Sequence, residues 1–439
     1  MTKYSICLPA LRRGAVSFGL GAGLLASAAA AEDLPVWHNY SYDGEIEVIK
    51  ALMDRFEEAH PEVDLIRTQR SFDDLALTLR LAVSAGDGPV VTKVNQGAKD
   101  MGAMVAEDML IPMDGYISEY GWDEQQSQSL MDRDRWSEDG QFGEGTTYGI
   151  SSLAEVVGVY YNEAVLEEAG VALPLESFED FLAALETLKG EGVTPMAMGM
   201  ATGHLGLHLM AAVAQAHIDA SHRAELDDLI YGRGGSWKTD ANLKAAELMQ
   251  TWSTEGYFFD GYQGIGGTDA VQLFVAGQAG FMTSGTWYFG DLQSNPDIHF
   301  MPMPAPEGVE QPMAVGGVDL AWAITSLAED EATQDLAAEF INDMVSPAAA
   351  EVWAAGGYLP AAPLPEGSEV ELSALLTEGI EAWTSLNAAD AIGHYPDWST
   401  PTMLTTIDDN MALLMAGRQS PEEYVDIIDA DYQAYLAAK

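Results

Sequence analysis

The stretch "LPVWHNYSYDGEIEVIKALMDRFEEAHPEVDLIRT", residues 34–68, contains a complete strand–helix–strand unit. Its ends, 34–40 and 63–68, are short segments rich in apolar, aromatic and β-branched residues, which predicts two strands. Between them apolar residues recur at helical spacing, and Pro61 follows where the helix must end. Two strands joined through a helix predict a right-handed crossover between parallel neighbours in one sheet.

The same alternation continues along the chain. A second helix is predicted over 71–86 and a third strand over 89–94, and a long β-rich run follows over 146–162. After several helical segments, two more strands are predicted near 297–302 and 314–324. This order predicts an α/β fold in two lobes, each a mostly parallel sheet flanked by helices.

The N-terminus has the pattern of an export signal. Arg12 and Arg13 precede a weakly apolar run over 14–25, and small residues follow as far as Ala31. A basic start, a short apolar run and a small-residue cleavage site predict a signal peptide over 1–31 and export to the periplasm. The run is too short and too rich in glycine and alanine to span a bilayer well.

Composition limits the partners. The chain has 69 acidic residues against 19 lysines and arginines, a formal net charge of −50, and this charge repels nucleic acid and anionic lipid. The single cysteine, Cys7, precedes the apolar run of the signal, so we expect no lipid anchor. The exported chain would have no disulfide, no thiolate nucleophile and no cysteine-based metal site.

Motifs for chemistry are weak. "GIGG" at 264–267 lacks the strand before it and the lysine that a nucleotide loop needs. His204 and His208 stand four apart and could ligate zinc, but no glutamate of the metalloprotease pattern lies between them. Core or cleft histidines are therefore preferred. A glycosidase needs two carboxylates and an aromatic platform, yet no carboxylate pair is singled out among so many acids.

One aromatic cluster leaves two alternatives open. In "AGFMTSGTWYFGDL" (279–292), Trp287, Tyr288 and Phe289 follow an apolar run and are flanked by glycines. The three rings could fill the core, or one of them could offer a flat apolar surface to a ligand. The local sequence does not decide between these alternatives for Trp287.

Five stretches in order resemble one known family. They are "WHNYSYDGEIEVIKALMDRFEEAHPEVDL", "LRLAVSAGDGPVV", "YGISSLAEVVGVYYNEAVLEEAGV", "FVAGQAGFMTSGTWYFGDL" and "LAAEFINDMVSPAAAEVWAAGGYLPA". The chain is similar to the extracellular solute-binding proteins of ABC sugar importers, the maltose-binding-protein-like group. The resemblance implies a two-lobed periplasmic-binding-protein fold of type II with crossing hinge segments. It also implies a sugar held between the lobes, no catalysis, and delivery to a membrane permease.

The resemblance also implies where the lobes divide. We expect an N-terminal lobe over 32–152 and 319–360, and a C-terminal lobe over 153–318 and 361–439.

Site residues follow from the resemblance one by one. Glu155 stands seven residues before Asn162, as the family's cleft carboxylate does, and is expected to accept sugar hydroxyls while ionised. Trp287 matches the sugar-stacking tryptophan, whereas Tyr288 and Phe289 remain core candidates.

Other positions come from the same likeness. Gly317 and Asp319 lie on the second hinge strand, and Trp398 lies where an aromatic of the C-terminal lobe often faces the sugar.

The N-lobe edge of the cleft would begin at Trp37, His38 and Asn39, and His204 is included as a cleft histidine. Where the maltose binder has acids, an aromatic and an arginine, this chain has Val90, Val94, Gly97 and Ala98.

Asn95 and Gln96 are the polar groups that remain at that edge, which favours a smaller neutral sugar over a maltodextrin. We expect a monomer without cofactor or metal. The alternatives are an exported carbohydrate-active enzyme and a binding protein for a metal or cationic solute.

Overall fold

The computed structural model describes residues 31–202 and 204–439. The predicted signal peptide, 1–31, lies outside the described residues except for Ala31. Within the described part of the chain, no helix combines the length and the apolarity that crossing a membrane requires.

Strands and helices alternate along the chain as the sequence predicts. The strands are β1 (Glu32–His38), β2 (Val63–Gln69), β3 (Val91–Val94), β4 (Arg135–Trp136), β5 (Thr146–Thr147), β6 (Ala154–Asn162), β7 (Thr194–Ala197), β8 (Ala279–Gly285), β9 (Ile298–Met301), β10 (Gly316–Val318) and β11 (Ala321–Ile324). The helices are α1 (Asp43–Ala59), α2 (Phe72–Ala85), α3 (Met101–Ala106), α4 (Asp114–Tyr120), α5 (Gln128–Met131), α6 (Glu163–Glu168), α7 (Phe178–Gly190), α8 (Leu205–Ala216), α9 (Arg223–Ile230), α10 (Asp240–Thr254), α11 (Gly267–Val275), α12 (Phe289–Leu292), α13 (Glu331–Val345), α14 (Pro347–Ala355), α15 (Ala374–Ala388), α16 (Met403–Met415) and α17 (Pro421–Ala438).

The first lobe is built on a sheet with strand order β11-β3-β1-β2. β1 pairs in parallel with β2 and β3, as the opening unit of the sequence predicts, and β11 joins β3 antiparallel. The helix of that unit, α1, buries an apolar face that includes Leu52, Met53 and Phe56. Phe56 meets Phe340 of α13 edge to face, with ring centroids 5.2 Å apart. The burial of this helical face fixes α1 against the first sheet.

The second lobe is built on a sheet with strand order β10-β6-β8-β7, and β9 also pairs with β6. β7 and β8 are parallel, while β6 is antiparallel to β8, β9 and β10. The two-lobed α/β architecture is therefore as predicted, and its first sheet is mostly parallel. The second sheet is mixed, because the long strand β6 enters it directly from the first lobe and runs against its neighbours.

Two segments cross between the lobes and bond to each other. β10 lies in the second sheet and β11 in the first, although only Asp319 and Leu320 separate them. The N–H of Asp319 donates to the carbonyl of Leu153 at 3.0 Å, and that of Trp322 donates to Ile150 at 2.8 Å. The two crossing segments are therefore joined by backbone hydrogen bonds, like neighbouring strands of a sheet.

Candidate functional site

A cavity of about 290 Å³ lies between the two lobes. The first lobe lines it with residues that follow β1 and begin α1, among them Asn39, Tyr42 and Glu45. The second lobe contributes the start of β6 and the turn after β8, with Glu155 and Trp287. A cleft between domains that combines aromatic and convergent polar groups is typical of a small-molecule site.

Trp287 lines the cavity with a half-buried ring. The fully buried strand β8 ends at Gly285, and one tight turn then carries the indole back over that glycine. A side chain at position 285 would overlap the indole, so glycine is required there. His208 packs against the other ring edge, at 5.1 Å between centroids. Tyr288 and Phe289 are 3% and 0% exposed, which confirms their placement in the core.

Glu155 also lines the cavity, beside the crossing segments. Its Oε2 accepts a hydrogen bond from the Tyr395 hydroxyl at 3.0 Å. Burial, reinforced by the charge of Asp319, raises the pKa of Glu155 to about 8, against the smaller opposing effects of Tyr395 and Lys93. The carboxyl is therefore mostly protonated at neutral pH, unlike the ionised group that we expected from the sequence. Protonated, it can both donate and accept.

Glu45 is a second cavity carboxyl that sequence reasoning missed. Its Oε2 accepts from the backbone N–H of Ser41 and of Tyr42, at 2.9 and 3.2 Å, in the capping box of α1. Burial raises the pKa of Glu45 to about 8, although those two bonds oppose the shift. Its place three residues after the N-cap was the available signal. Asp397, which burial raises to a pKa of about 6, lines the cavity as well.

Asp319 lies at the cavity but its carboxylate is occupied by the protein. Oδ2 accepts from the Lys93 ammonium and the Tyr40 hydroxyl, both at 2.6 Å. Oδ1 accepts from the backbone N–H of Ser152 and of Leu153, both at 3.1 Å. Lys93 and Asp319 are 0% and 4% exposed. The family resemblance made Asp319 a site candidate on the second hinge strand, whereas the contacts of its carboxylate join the first sheet to both crossing segments.

Gly317 has a similar structural task. It pairs with Glu155 in the ladder between β10 and β6, at a φ of 143°. The Arg133 guanidinium, fully buried, passes directly over it and donates to the carbonyls of Gly316 and Gly393. A Cβ at position 317 would overlap that guanidinium. Gly317 is therefore placed under Arg133 and does not itself line the cavity.

Trp398 and Asn95 line the cavity together and bond to each other. The indole N–H of Trp398 donates to Asn95 Oδ1 at 2.9 Å, and Asn95 Nδ2 donates to Asp100 at 3.2 Å. Both polar ends of Asn95 are thus used within the protein. Gln96, which is fully buried, donates from Nε2 to the carbonyl of Asp319 at 2.7 Å and keeps an unpaired Oε1.

Of the three candidates at the end of the first strand, Trp37, His38 and Asn39, one lies at the cavity and two do not. Asn39 lines the cavity, and its Oδ1 has no hydrogen-bond partner. Trp37 lies under the Arg70 guanidinium, 3.8 Å from the ring centroid, and does not line the cavity. His38 is 5% exposed and also lies away from it. Burial, with the charges of Lys93 and Arg67, lowers the pKa of His38 to about 4.

His204, directly before α8, and His208, within α8, have different partners. His204 lines the cavity, with Nε2 3.4 Å from Asp73 and Nδ1 3.3 Å from Asp408. His208 also lines the cavity and contacts Ser284 and Trp287. Burial, with the charge of His204, lowers the pKa of His208 to about 3. Among residues 31–202 and 204–439, no group of three side chains is arranged to hold a metal ion.

This chain is similar to known proteins in both sequence and structure. Residues 51–366 match the family model described as bacterial extracellular solute-binding protein. The xylose/arabinose-binding protein XacG of Haloferax volcanii is 26% identical over 289 residues, which cover 63% of this chain and 59% of that protein. The chain spans between 59% and 65% of the length of the curated relatives that it matches.

Solved structures agree with the fold. A chitin oligosaccharide binding protein superposes with a TM-score of 0.78 at 18% identity, over 93% of this chain and 99% of that chain. The maltose/maltodextrin-binding domain MalE of Bdellovibrio bacteriovorus, bound to maltotriose, gives a TM-score of 0.70 at 14% identity, over 92% and 100%. These likenesses confirm the two-lobed architecture. Because the family model covers most of its length, the chain belongs to the bacterial extracellular solute-binding proteins.

Proposed function

We propose that this protein is the substrate-binding component of an ABC importer, which captures a small neutral carbohydrate between its lobes and delivers it to a membrane permease. The observation that carries the proposal is the cavity, which is lined by a half-buried indole and by polar side chains of both lobes, among them Asn39 and Glu155. Its volume, about 290 Å³, lies at the lower end of small-molecule sites, which favours a mono- or small oligosaccharide.

The chemistry of a pyranose matches this lining. One face of the ring presents C–H groups, which would lie on Trp287, and the rim presents hydroxyls that both donate and accept. Asn39 Oδ1 has no partner within the protein, and Glu155 uses one oxygen for Tyr395. Glu45 similarly uses Oε2 for the backbone. These groups would replace the water that the hydroxyls lose on binding.

Charge favours a neutral ligand over an anionic one. Within the described part of the chain, no lysine or arginine lines the cavity. His204, the cavity histidine whose pKa is raised, lies between two carboxylates. A uronic acid or sugar phosphate would therefore meet buried carboxyls, and the one cationic side chain at the described cavity wall, His204, is already paired with Asp73 and Asp408.

Binding would stabilise the closed arrangement of the lobes. A ligand favours a conformation only through contacts that differ between the open and closed states. Contacts to Asn39 and Glu45 on one side and to Glu155 and Trp287 on the other exist together only when the cleft is closed.

We further propose a periplasmic monomer that binds without catalysis. Its signal peptide would be removed near Glu32, and its lobes would divide at 152/153, 318/319 and 360/361. Support for the middle boundary is the passage of the chain from the second sheet to the first between β10 and β11. The intact mass of the exported protein tests the cleavage, and a mass that includes residues 1–31 would contradict it.

A thermal-shift panel followed by calorimetry tests the function. The panel contains D-xylose, D-glucose, maltose and diacetylchitobiose, with glucuronate, spermidine and zinc as comparisons. A neutral sugar present at 100 times its Kd should stabilise the protein by about 2.7 kcal/mol, and it should be recovered unchanged. Stabilisation by glucuronate, spermidine or zinc alone, or turnover of a sugar, would contradict the proposal.

A further inference from the structure

His204 connects carboxylates from the two lobes. Its Nε2 lies 3.4 Å from Asp73 Oδ1, in the first turn of α2, and its Nδ1 lies 3.3 Å from Asp408 Oδ2, in α16. α2 belongs to the first lobe, whereas α8 and α16 pack together in the second. Among the ion pairs between described residues, the contact of His204 with Asp73 is the one that joins the two sides of the cavity.

The geometry requires a charged imidazole. Each ring nitrogen faces a carboxylate oxygen, and an imidazole donates from both nitrogens only when it is doubly protonated. Burial alone lowers the pKa of His204, but the hydrogen bonds and charges of Asp408 and Asp73 outweigh it and raise the pKa to about 10. The other charged or titratable groups that face this cluster include Asp397, His208, Lys99 and Tyr424.

The backbone holds the ring in this position. His204 adopts a left-handed φ of 53° directly before α8, a conformation that costs a residue with a β-carbon some free energy. The ring of Phe72, next to Asp73, meets the imidazole edge to face at 6.1 Å. Both His204 and Asp73 line the cavity, so the contact lies at the cavity itself and not on a remote surface.

We propose that His204 and Asp73 form a charged clasp that holds the lobes closed over the cavity. In this role His204 is a positioning residue, with Asp408 orienting its ring from behind. The role deepens the proposed function, because a clasp that favours closure raises affinity for whatever the closed cavity binds.

The clasp has a definite pH dependence. In the closed state both carboxylates raise the pKa of His204 to about 10. Opening would remove Asp73 but leave Asp408, which belongs to the same lobe as His204, so the pKa would then be lower while Asp408 still raises it. The contribution of the clasp is therefore complete below the pKa that His204 has in the open state, and it is lost as the pH rises through about 10. Glu155 titrates in part of the same window, so only differences between variants isolate the clasp.

A double-mutant cycle provides the test. His204→Asn keeps a residue that tolerates a left-handed φ, and Asp73→Asn preserves shape. At pH 7, each change should weaken binding of the most stabilising neutral sugar in the panel about fivefold, which corresponds to about 1 kcal/mol. The double variant should be no weaker than either single one. Asp74→Asn, in the same helical turn but outside any ion pair in the described structure, is the matched control and should leave Kd unchanged.

Small-angle X-ray scattering without sugar gives an independent readout. His204→Asn and Asp73→Asn should increase the radius of gyration at pH 7, and the difference from wild type should shrink as the pH rises through about 10. Equal scattering and equal Kd for wild type and His204→Asn would overturn the clasp. Failure of the wild type to bind any neutral sugar would contradict the proposed function alone, because the scattering comparison requires none.

Discussion

Asp319 and Glu155 lie in neighbouring regions, yet their carboxyl groups are used differently. At the crossing between the lobes, Asp319 accepts four hydrogen bonds, from Tyr40, Lys93 and two backbone N–H groups. At the cavity wall, Glu155 accepts one, from Tyr395. A carboxylate whose oxygens are already bonded fixes the geometry of the protein. One that keeps free capacity can recognise a ligand.

The same contrast extends to the neighbours of each acid. At the crossing, buried charges bond mainly within the protein, as when the Nη atoms of Arg133 donate to the carbonyls of Gly316 and Gly393 while its Nε stays unpaired. The cavity wall leaves polar atoms such as Asn39 Oδ1 unpaired. The crossing therefore contributes to folding, and the wall is free to contribute to binding.

Asp319→Asn tests whether the carboxylate at the crossing stabilises the fold. Lys93 would remain buried without its counter-charge, so the free energy of unfolding should fall by about 3–5 kcal/mol. Urea denaturation at pH 7 measures this change. Lys93→Met combined with Asp319→Asn should recover part of the loss, because it removes the unpaired ammonium. A loss below about 1 kcal/mol would mean that Asp319 is not a structural carboxylate.

Gly317→Ala tests the close approach of Arg133. The new Cβ would overlap the guanidinium at a φ that alanine rarely adopts, and stability should fall by about 2–4 kcal/mol. Gly86→Ala is the control, since Gly86 has a φ of 78° with open space around it. Its cost should be about 1 kcal/mol, from the backbone alone. Equal losses of unfolding free energy at the two positions would mean that the contact with Arg133 does not contribute to the effect.

Trp287→Ala tests the binding side. If the sugar face hides about 100 Å² of apolar surface on the indole, the contact contributes about 2.5 kcal/mol. Calorimetry should then show affinity weaker by one to two decades. The unfolding free energy without sugar should change little. Trp37→Ala, a half-buried tryptophan away from the cavity, should leave affinity intact. A large stability loss with near-normal affinity would make Trp287 a core residue.

Glu155→Gln tests the raised pKa of the cavity carboxyl through the pH dependence of stability. An acid whose pKa is raised to about 8 in the folded state contributes stability that is complete below about pH 4.5 and is lost as the pH rises through 8. Removing this titration should flatten the decline in unfolding free energy between pH 5 and 8.5 by roughly 3–4 kcal/mol, at about 1.4 kcal/mol per pH unit up to the raised pKa. The exposed Glu167, changed to Gln, should not alter the profile. An unchanged slope for Glu155→Gln would argue against the raised pKa.

Local patterns were enough to predict much of the fold. The unit at 34–68 forms β1, α1 and β2, because its apolar periodicity and Pro61 depend on neighbouring residues alone. The segment at 314–324 is strand-like as predicted, but it divides into β10 and β11, which join different sheets. Pairing partners distant in the chain cannot be read from the periodicity of one segment.

The site was harder to predict for the same reason. The family resemblance predicted Glu155 and Trp287 as site residues, and both line the cavity. The role of Asp319 depends on Lys93, 226 positions away, and that of Gly317 depends on Arg133. Glu45 escaped notice because a capping-box glutamate is ordinarily a surface residue. Its burial arises only when the second lobe covers the start of α1.

The placement of Trp287 also means that intrinsic tryptophan fluorescence should report on occupancy of the cavity. Seven of the ten tryptophans are buried, whereas Trp287 is half-buried and lines the cavity beside His208. A solute that settles on this ring replaces water next to the chromophore and excludes external quenchers from it. Emission should therefore shift to shorter wavelength, and quenching by acrylamide should decrease. A simple fluorimetric titration, without any attached dye, would then follow occupancy, and the signal should disappear in Trp287→Phe.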